Sequence, residues 1–167
     1  GLPDFPRSFT GKGVLIGVID TGFDFMHPAF RDAEGNSRIV HVWDQSGRNG
    51  NTPSMGYGVV FDTPELIRSA AHDVSRDTHG THVAAIAASS ADVYKGMAPE
   101  SDIVVVATDK SESGIIDALA YLLDYAEKEK KPIAINLSMG TVIGFKDGTD
   151  PIASMIDELL DKSGKKC

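Results

Sequence analysis

The sequence has one cysteine, Cys167, at the very end of its 167 residues. A single thiol excludes an internal disulfide framework and a cysteine-based zinc site. Basic residues are in deficit, with 16 Lys plus Arg against 24 Asp plus Glu and a formal net charge of −8. That argues against nucleic acid or an anionic membrane as partner, because both bind a basic face. Long apolar runs are missing too: none approaches the roughly 18 residues needed to span a bilayer. The N-terminus lacks the basic-then-apolar order of a signal peptide, so the expectation is a soluble chain already trimmed of any leader. What remains is an ordinary globular composition, 41% hydrophobic and 24% charged. Its length suits one domain around one core, and no internal repeat is visible.

Val14 to Ile19, Ile103 to Ala107 and Ile133 to Leu137 are short, largely β-branched runs, apolar at nearly every position. Such runs read as strands buried on both faces. Ile39 to Trp43 is a more alternating version. Between them lie helical patterns. Ser113-Gly114 can cap a segment placing Ile115, Leu119, Leu122 and Ala126 on one face. Asp150-Pro151 is an N-cap followed by proline at the first helical position, ahead of a periodic stretch ending at Gly164. Thr78 to Ser89 is an Ala-rich helix, and Thr63-Pro64 opens a short one. Alternating strands and helices predict an α/β domain: a three-layer parallel sheet with helices on both faces. Residues 44 to 62 form the one long irregular stretch, with several Gly, Asn and Ser.

In open α/β sheets the reactive crevice lies at the carboxyl ends of the strands. Asp20 stands there, and Gly22 permits a sharp turn leaving the carboxylate toward the crevice. His79 opens the Ala-rich helix, where the positive end of the helix dipole favours a neutral imidazole. A neutral imidazole serves as a general base when a carboxylate on its other nitrogen fixes the tautomer. Asp20 is the candidate for that carboxylate. His82 is expected to pack inside, on a helix made core-facing by Val83, Ala84 and Ile86.

Val18-Ile19-Asp20-Thr21-Gly22, His79-Gly80-Thr81-His82-Val83-Ala84 and Ile135-Asn136-Leu137-Ser138-Met139-Gly140 come in that order. They resemble the Asp motif, the His motif and the substrate-binding segment of the subtilisin-like serine proteases. Met97-Ala98-Pro99-Glu100-Ser101 is similar to the family's connection into the following strand. The resemblance implies the N-terminal part of a catalytic domain over residues 1–167, with an insertion at about 31–76 and the last strands lacking. It implies Asp20 as the triad carboxylate and His79 as the general base. Ser138, Met139 and Gly140 become the ledge on which an extended polypeptide substrate pairs as an added strand. Asp109 to Ser113 would form another wall of that cleft. Calcium is implied as a possible ion without a ligand set, and export as the location.

The family's nucleophile motif, Gly-Thr-Ser-x-Ala, does not occur: Gly80-Thr81 precedes His82, Gly140-Thr141 precedes Val142, and Gly148-Thr149 precedes Asp150. Asn136 lies inside a strand and reads as structural. The expectation is a serine endopeptidase whose nucleophile Ser and oxyanion Asn lie beyond residue 167, so that these residues alone are inactive. A pseudoenzyme or peptide-binding module on the same fold is the alternative. A metal-dependent hydrolase gathering His72, Asp77, His79 and His82 around an ion ranks below it. An aspartic protease, the other user of Asp-Thr-Gly, would need a second copy of that motif. The free edge of the Ile133 to Leu137 strand is expected to promote self-association.

Overall fold

A computed structural model of the chain describes residues 9–48, 50–75, 77–140 and 148–164, and Cys167 lies outside them. Strands β1 (Leu15–Asp20), β2 (Ile39–Asp44), β3 (Val59–Phe61), β4 (Asp102–Ala107) and β5 (Ile133–Leu137) form one sheet in the order β3-β2-β4-β1-β5. All neighbours run parallel except β2 and β3. The helices are α1 (Pro64–Ala70), α2 (His79–Ala88), α3 (Glu112–Glu129) and α4 (Pro151–Ser163).

Side-chain alternation along the strands divides the core into two layers. Ile16 and Val18 of β1, with Ile103 and Val105 of β4, pack on one face against Ala84 and Ala88 of α2. Leu15 and Ile19, with Val104 and Val106, pack on the other against Leu119 and Leu122 of α3. Asp20 shares the parity of Ile16 and Val18. Its carboxylate therefore emerges on the face that α2 covers, at the carboxyl end of the sheet.

Helix α2 is fixed at both ends. At its C-terminal end the buried Arg38 guanidinium donates to the carbonyls of Ala88, Ala29 and Ser101, tying helix, loop and the start of β4 together. At its N-terminal end it meets the turn after β1. Its helical stripe is Ala84 and Ala88, and Ile86 sits about 200° around the axis from Ala84. Ile86 and His82 consequently face outward, contrary to the core-facing expectation for both.

Two further expectations are corrected. The stretch 44–62 contains β3, whose three residues are too few to display an alternation but pair with Val42, Trp43 and Asp44. Helix α3 is capped by Ser111 rather than Ser113, since Ser111 Oγ accepts from Gly114 N–H at 2.9 Å and is itself held by Asp109 Oδ1. Asp150 caps α4 as expected, accepting from Ile152 N–H at 2.9 Å.

Candidate functional site

Asp20 ends β1 and is 2% exposed. Its Oδ1 accepts from Thr21 N–H at 2.7 Å, and both carboxylate oxygens lie 2.9 Å from His79 Nδ1. The His79 side chain is nevertheless 47% exposed. Its Nδ1 edge is turned to the buried carboxylate, so the exposure falls on the edge that carries Nε2.

The sequence brings these two residues together through backbone. A helix leaves its first N–H groups without intrahelical partners. In α2 the Thr78 side chain makes no capping bond, and the carbonyls of the turn after β1 do that work. Gly80 N–H donates to Thr21 C=O at 2.7 Å and Thr81 N–H to Gly22 C=O at 3.0 Å. Thr81 Oγ1 adds a bond to Gly22 C=O at 3.0 Å and accepts from Asp24 N–H at 2.8 Å. The contact tolerates no side chain on the turn: Gly22 has φ +82°, and a Cβ there would meet the Asp77 carbonyl carbon at 2.5 Å. Gly80 is equally confined, with Thr21 O and Phe23 Cζ each 2.8 Å from where its Cβ would be.

His79 titrates above its ordinary value, first because Asp20 accepts its hydrogen bond and second because Asp20 is charged. Asp77 pushes the same way and Lys110 opposes it. The helix dipole alone suggested the opposite direction, and the carboxylate at hydrogen-bond distance outweighs it.

Ser138, Met139 and Gly140 continue β5 past Leu137, which is in register with Ile19 of β1. They share the carboxyl end of the sheet with Asp20. Ser138 Oγ donates to Asn136 Oδ1 at 2.8 Å, Met139 packs on the α3 layer, and among the described residues nothing lies within 4 Å of where a Cβ on Gly140 would be. Asn136 serves there as an acceptor that steadies Ser138.

Beside the pair lies a cavity of about 170 Å³ whose wall includes Thr21, Asp44, Asp73, Thr108, Asp109 and Lys110. Asp44 and Asp73 are buried, and burial raises the pKa of each. Backbone N–H groups oppose the rise: Ser46 and Gly47 donate to Asp44, Gly22 and Phe23 to Asp73. Sequence reasoning missed Asp73, since nothing in its local motif links it to a turn some fifty residues earlier. Among the described residues no three His, Cys, Asp or Glu side chains converge in a way suited to an ion. His82 is exposed, and His72 Nδ1 bonds to the Asp73 carbonyl at 2.6 Å. Calcium therefore finds no set of three such side chains among the described residues.

The model of the subtilase family matches residues 11–166. The chain is 31% identical over 143 residues to the subtilisin-like protease PopC of Myxococcus xanthus (strain DK1622), covering 80% of this chain and 26% of that protein. It is 30% identical over 165 residues to the serine protease AprX of Bacillus subtilis (strain 168), covering 91% and 31%. Among solved structures it is similar to the Clostridium perfringens CspB protease, with a TM-score of 0.75 and 30% identity over 91% of this chain and 34% of that one. Sphericase, at 21% identity and a TM-score of 0.60, covers 92% of this chain and 43% of its own and shares the fold. The chain thus spans about a quarter to a third of the length of these two curated relatives. A family match that runs through both core layers and every element around Asp20 and His79 means that the chain belongs to the subtilase family.

Proposed function

We propose that this chain supplies the Asp and His members of an Asp-His-Ser triad for peptide-bond hydrolysis by a subtilisin-like serine endopeptidase. In this reading Asp20 accepts a hydrogen bond from the Nδ1–H of His79 and fixes the tautomer whose Nε2 is free to take a proton. His79 then draws the proton from a serine hydroxyl as that oxygen attacks the peptide carbonyl, and Asp20 stabilises the imidazolium formed. The proton passes next to the leaving amine. Ser138 to Gly140 align the polypeptide by backbone pairing, with Gly140 leaving room for a side chain. The nucleophile and the oxyanion donor come from sequence outside these 167 residues, which fits both the missing Gly-Thr-Ser-x-Ala motif and the share of each relative that is matched. Action outside the cell belongs to this reading through the family resemblance alone, since the relatives include both an extracellular serine protease of Serratia marcescens and an intracellular one of Paenibacillus polymyxa.

The observation that carries the reading is His79 Nδ1 at 2.9 Å from both oxygens of a buried carboxylate. Titrating His79 by proton NMR tests it. Asp20→Asn should bring the imidazole pKa back toward its ordinary value of about 6.5, and an unchanged titration would dissolve the pair. The 167 residues alone should turn over no peptide. Turnover by pure protein that His79→Ala abolishes would place a nucleophile within this chain.

A further inference from the structure

We propose that Asp73 is a positioning residue for the Asp20 and His79 pair, acting through the two peptide planes that follow Thr21. The inference rests on the triad reading above and extends it to a residue that touches neither reacting group. Asp73 is 3% exposed. Its Oδ2 accepts from Gly22 N–H at 2.8 Å and its Oδ1 from Phe23 N–H at 3.2 Å. Successive backbone N–H groups converging on one anion form a concave cradle, and charge-assisted bonds of this kind are stronger than neutral ones.

The other ends of the same two planes belong to α2. The Thr21 carbonyl, in the plane whose N–H is that of Gly22, accepts from Gly80 N–H. The Gly22 carbonyl, in the plane whose N–H is that of Phe23, accepts from Thr81 N–H and from Thr81 Oγ1. Each plane is therefore pinned at its N–H by Asp73 and at its C=O by the first turn of the helix that begins with His79. Rotating either plane breaks both ties at once. Removing Asp73 frees the planes to rotate, and with them the docking of α2 that holds the imidazole over Asp20.

The chain is bent on purpose to deliver this carboxylate. Ala71, just past α1, has φ +62° and ψ −42°, a conformation that L-residues avoid, in a three-residue turn closed by His72 N–H on Ala70 C=O at 2.7 Å. Residues 71–73 then run along 23–25, with Phe25 N–H on Ala71 C=O at 2.9 Å and Asp73 N–H on Phe23 C=O at 3.2 Å. Strain and a desolvated charge thus coincide where a link to the Asp20 turn is made. Asp44, the other buried carboxylate of this wall, accepts from Ser46 and Gly47 in its own turn and from the Val74 N–H, with no bond to residues 20–23 among those described.

The test is His79 titration by NMR in four forms of the chain: wild type, Asp20→Asn, Asp73→Asn and Leu122→Ala. Asp73→Asn keeps the shape but presents an amide N–H₂ where backbone N–H groups donate, those of Gly22 and Phe23 and also that of Ser75. It should lower the His79 pKa by about 0.5 unit or more and weaken the downfield Nδ1–H resonance of the His79–Asp20 bond. Leu122→Ala, which loosens the opposite core layer, should leave both signals in place. Asp77 and Lys110, the other charges acting on His79, are unchanged in all four. Should Asp73→Asn not fold, Asp73→Glu, which keeps the charge and displaces it by one methylene, is read for a smaller fall in the same direction. If Asp20→Asn lowers the pKa while the Asp73 variant does not, the positioning role is wrong and the pair stands. Equal falls in Asp73→Asn and Leu122→Ala reduce the effect to general loosening and also overturn the role. No change in Asp20→Asn removes the pair itself, and this inference with it.

Discussion

Strands β1 and β5 lie side by side and run the same way, yet all six residues of β1 are buried while Ala134 and Leu137 of β5 are exposed. The helices behind them differ in the same sense. Helix α3 buries seven residues, whereas α4 packs only partly buried side chains against it and leaves Met155 exposed. Interior packing multiplies small contacts, and an edge with one neighbour collects about half of them. In the proposed function the two regions do separate work. Asp20 ends the fully buried strand and holds His79 from there, and the proposed peptide ledge extends from the less buried one. A proton relay needs its atoms held to fractions of an ångström, while a surface that accepts an incoming strand needs an unpaired backbone.

The largest expected effect separates the two helices. Leu122→Ala in α3 should lower unfolding free energy by about 2 to 5 kcal/mol, whereas Leu159→Ala in α4 should lower it by about 1 kcal/mol or less. Equal losses in urea denaturation would erase the distinction between interior and flank.

A second test probes the interior through its buried histidine. His41 on β2 sits against Tyr125 and Tyr121, with Nε2 2.6 Å from the Tyr121 hydroxyl, and burial pushes its pKa down to about 4, opposed by the charge of Asp62. A depressed imidazole contributes stability above its unfolded pKa of about 6.5, and that contribution is lost as pH falls from there toward about 4. The loss is of the order of 3 kcal/mol. His41→Phe should flatten this acid limb in urea midpoints taken from pH 4 to 7, and a limb that persists unchanged would move its origin elsewhere.

The smallest effect concerns the flank. Strand β5 has one sheet neighbour among the described residues, and no charged side chain guards Ile133 to Leu137. Weak, concentration-dependent self-association through this edge should show in light scattering, and Ala134→Lys should reduce it. A monomer whose Ile135 and Leu137 amides exchange as slowly as those of Ile16 and Val18 would mean that the edge is covered.

Much of the layering was readable before any coordinates. Runs apolar at nearly every position announce strands, and β1 and β4 are buried as expected, whereas β5, which also reads as buried on both faces, has no buried residue. Caps such as Asp150-Pro151 and Thr63-Pro64 announce helix starts by local chemistry alone. Short-range order fails where three residues carry the signal, as in β3, or where a cap two positions upstream competes, as Ser111 does with Ser113. It also fails for direction on a helix of small residues. Ala-rich α2 has so weak an apolar stripe that Ile86 and His82 could be assigned to the wrong side until the sheet beneath chose Ala84 and Ala88.

Asp20 and His79 could be proposed from sequence because three motifs in order resemble those of the subtilisin-like proteases; the residue types suit the chemistry, but either motif alone reads more simply as a turn or a helix cap. Parity along β1 sets Asp20 with Ile16 and Val18, and the structure puts α2 over that face. What sequence leaves open is every relation between segments remote along the chain. The 2.9 Å contact, the rise in the His79 pKa against the helix dipole, and the grip of Asp73 on Gly22 and Phe23 all depend on distances set by packing. Charge and hydrogen-bond energies fall away within a few ångströms, so only the tertiary structure could decide which carboxylate reaches which proton.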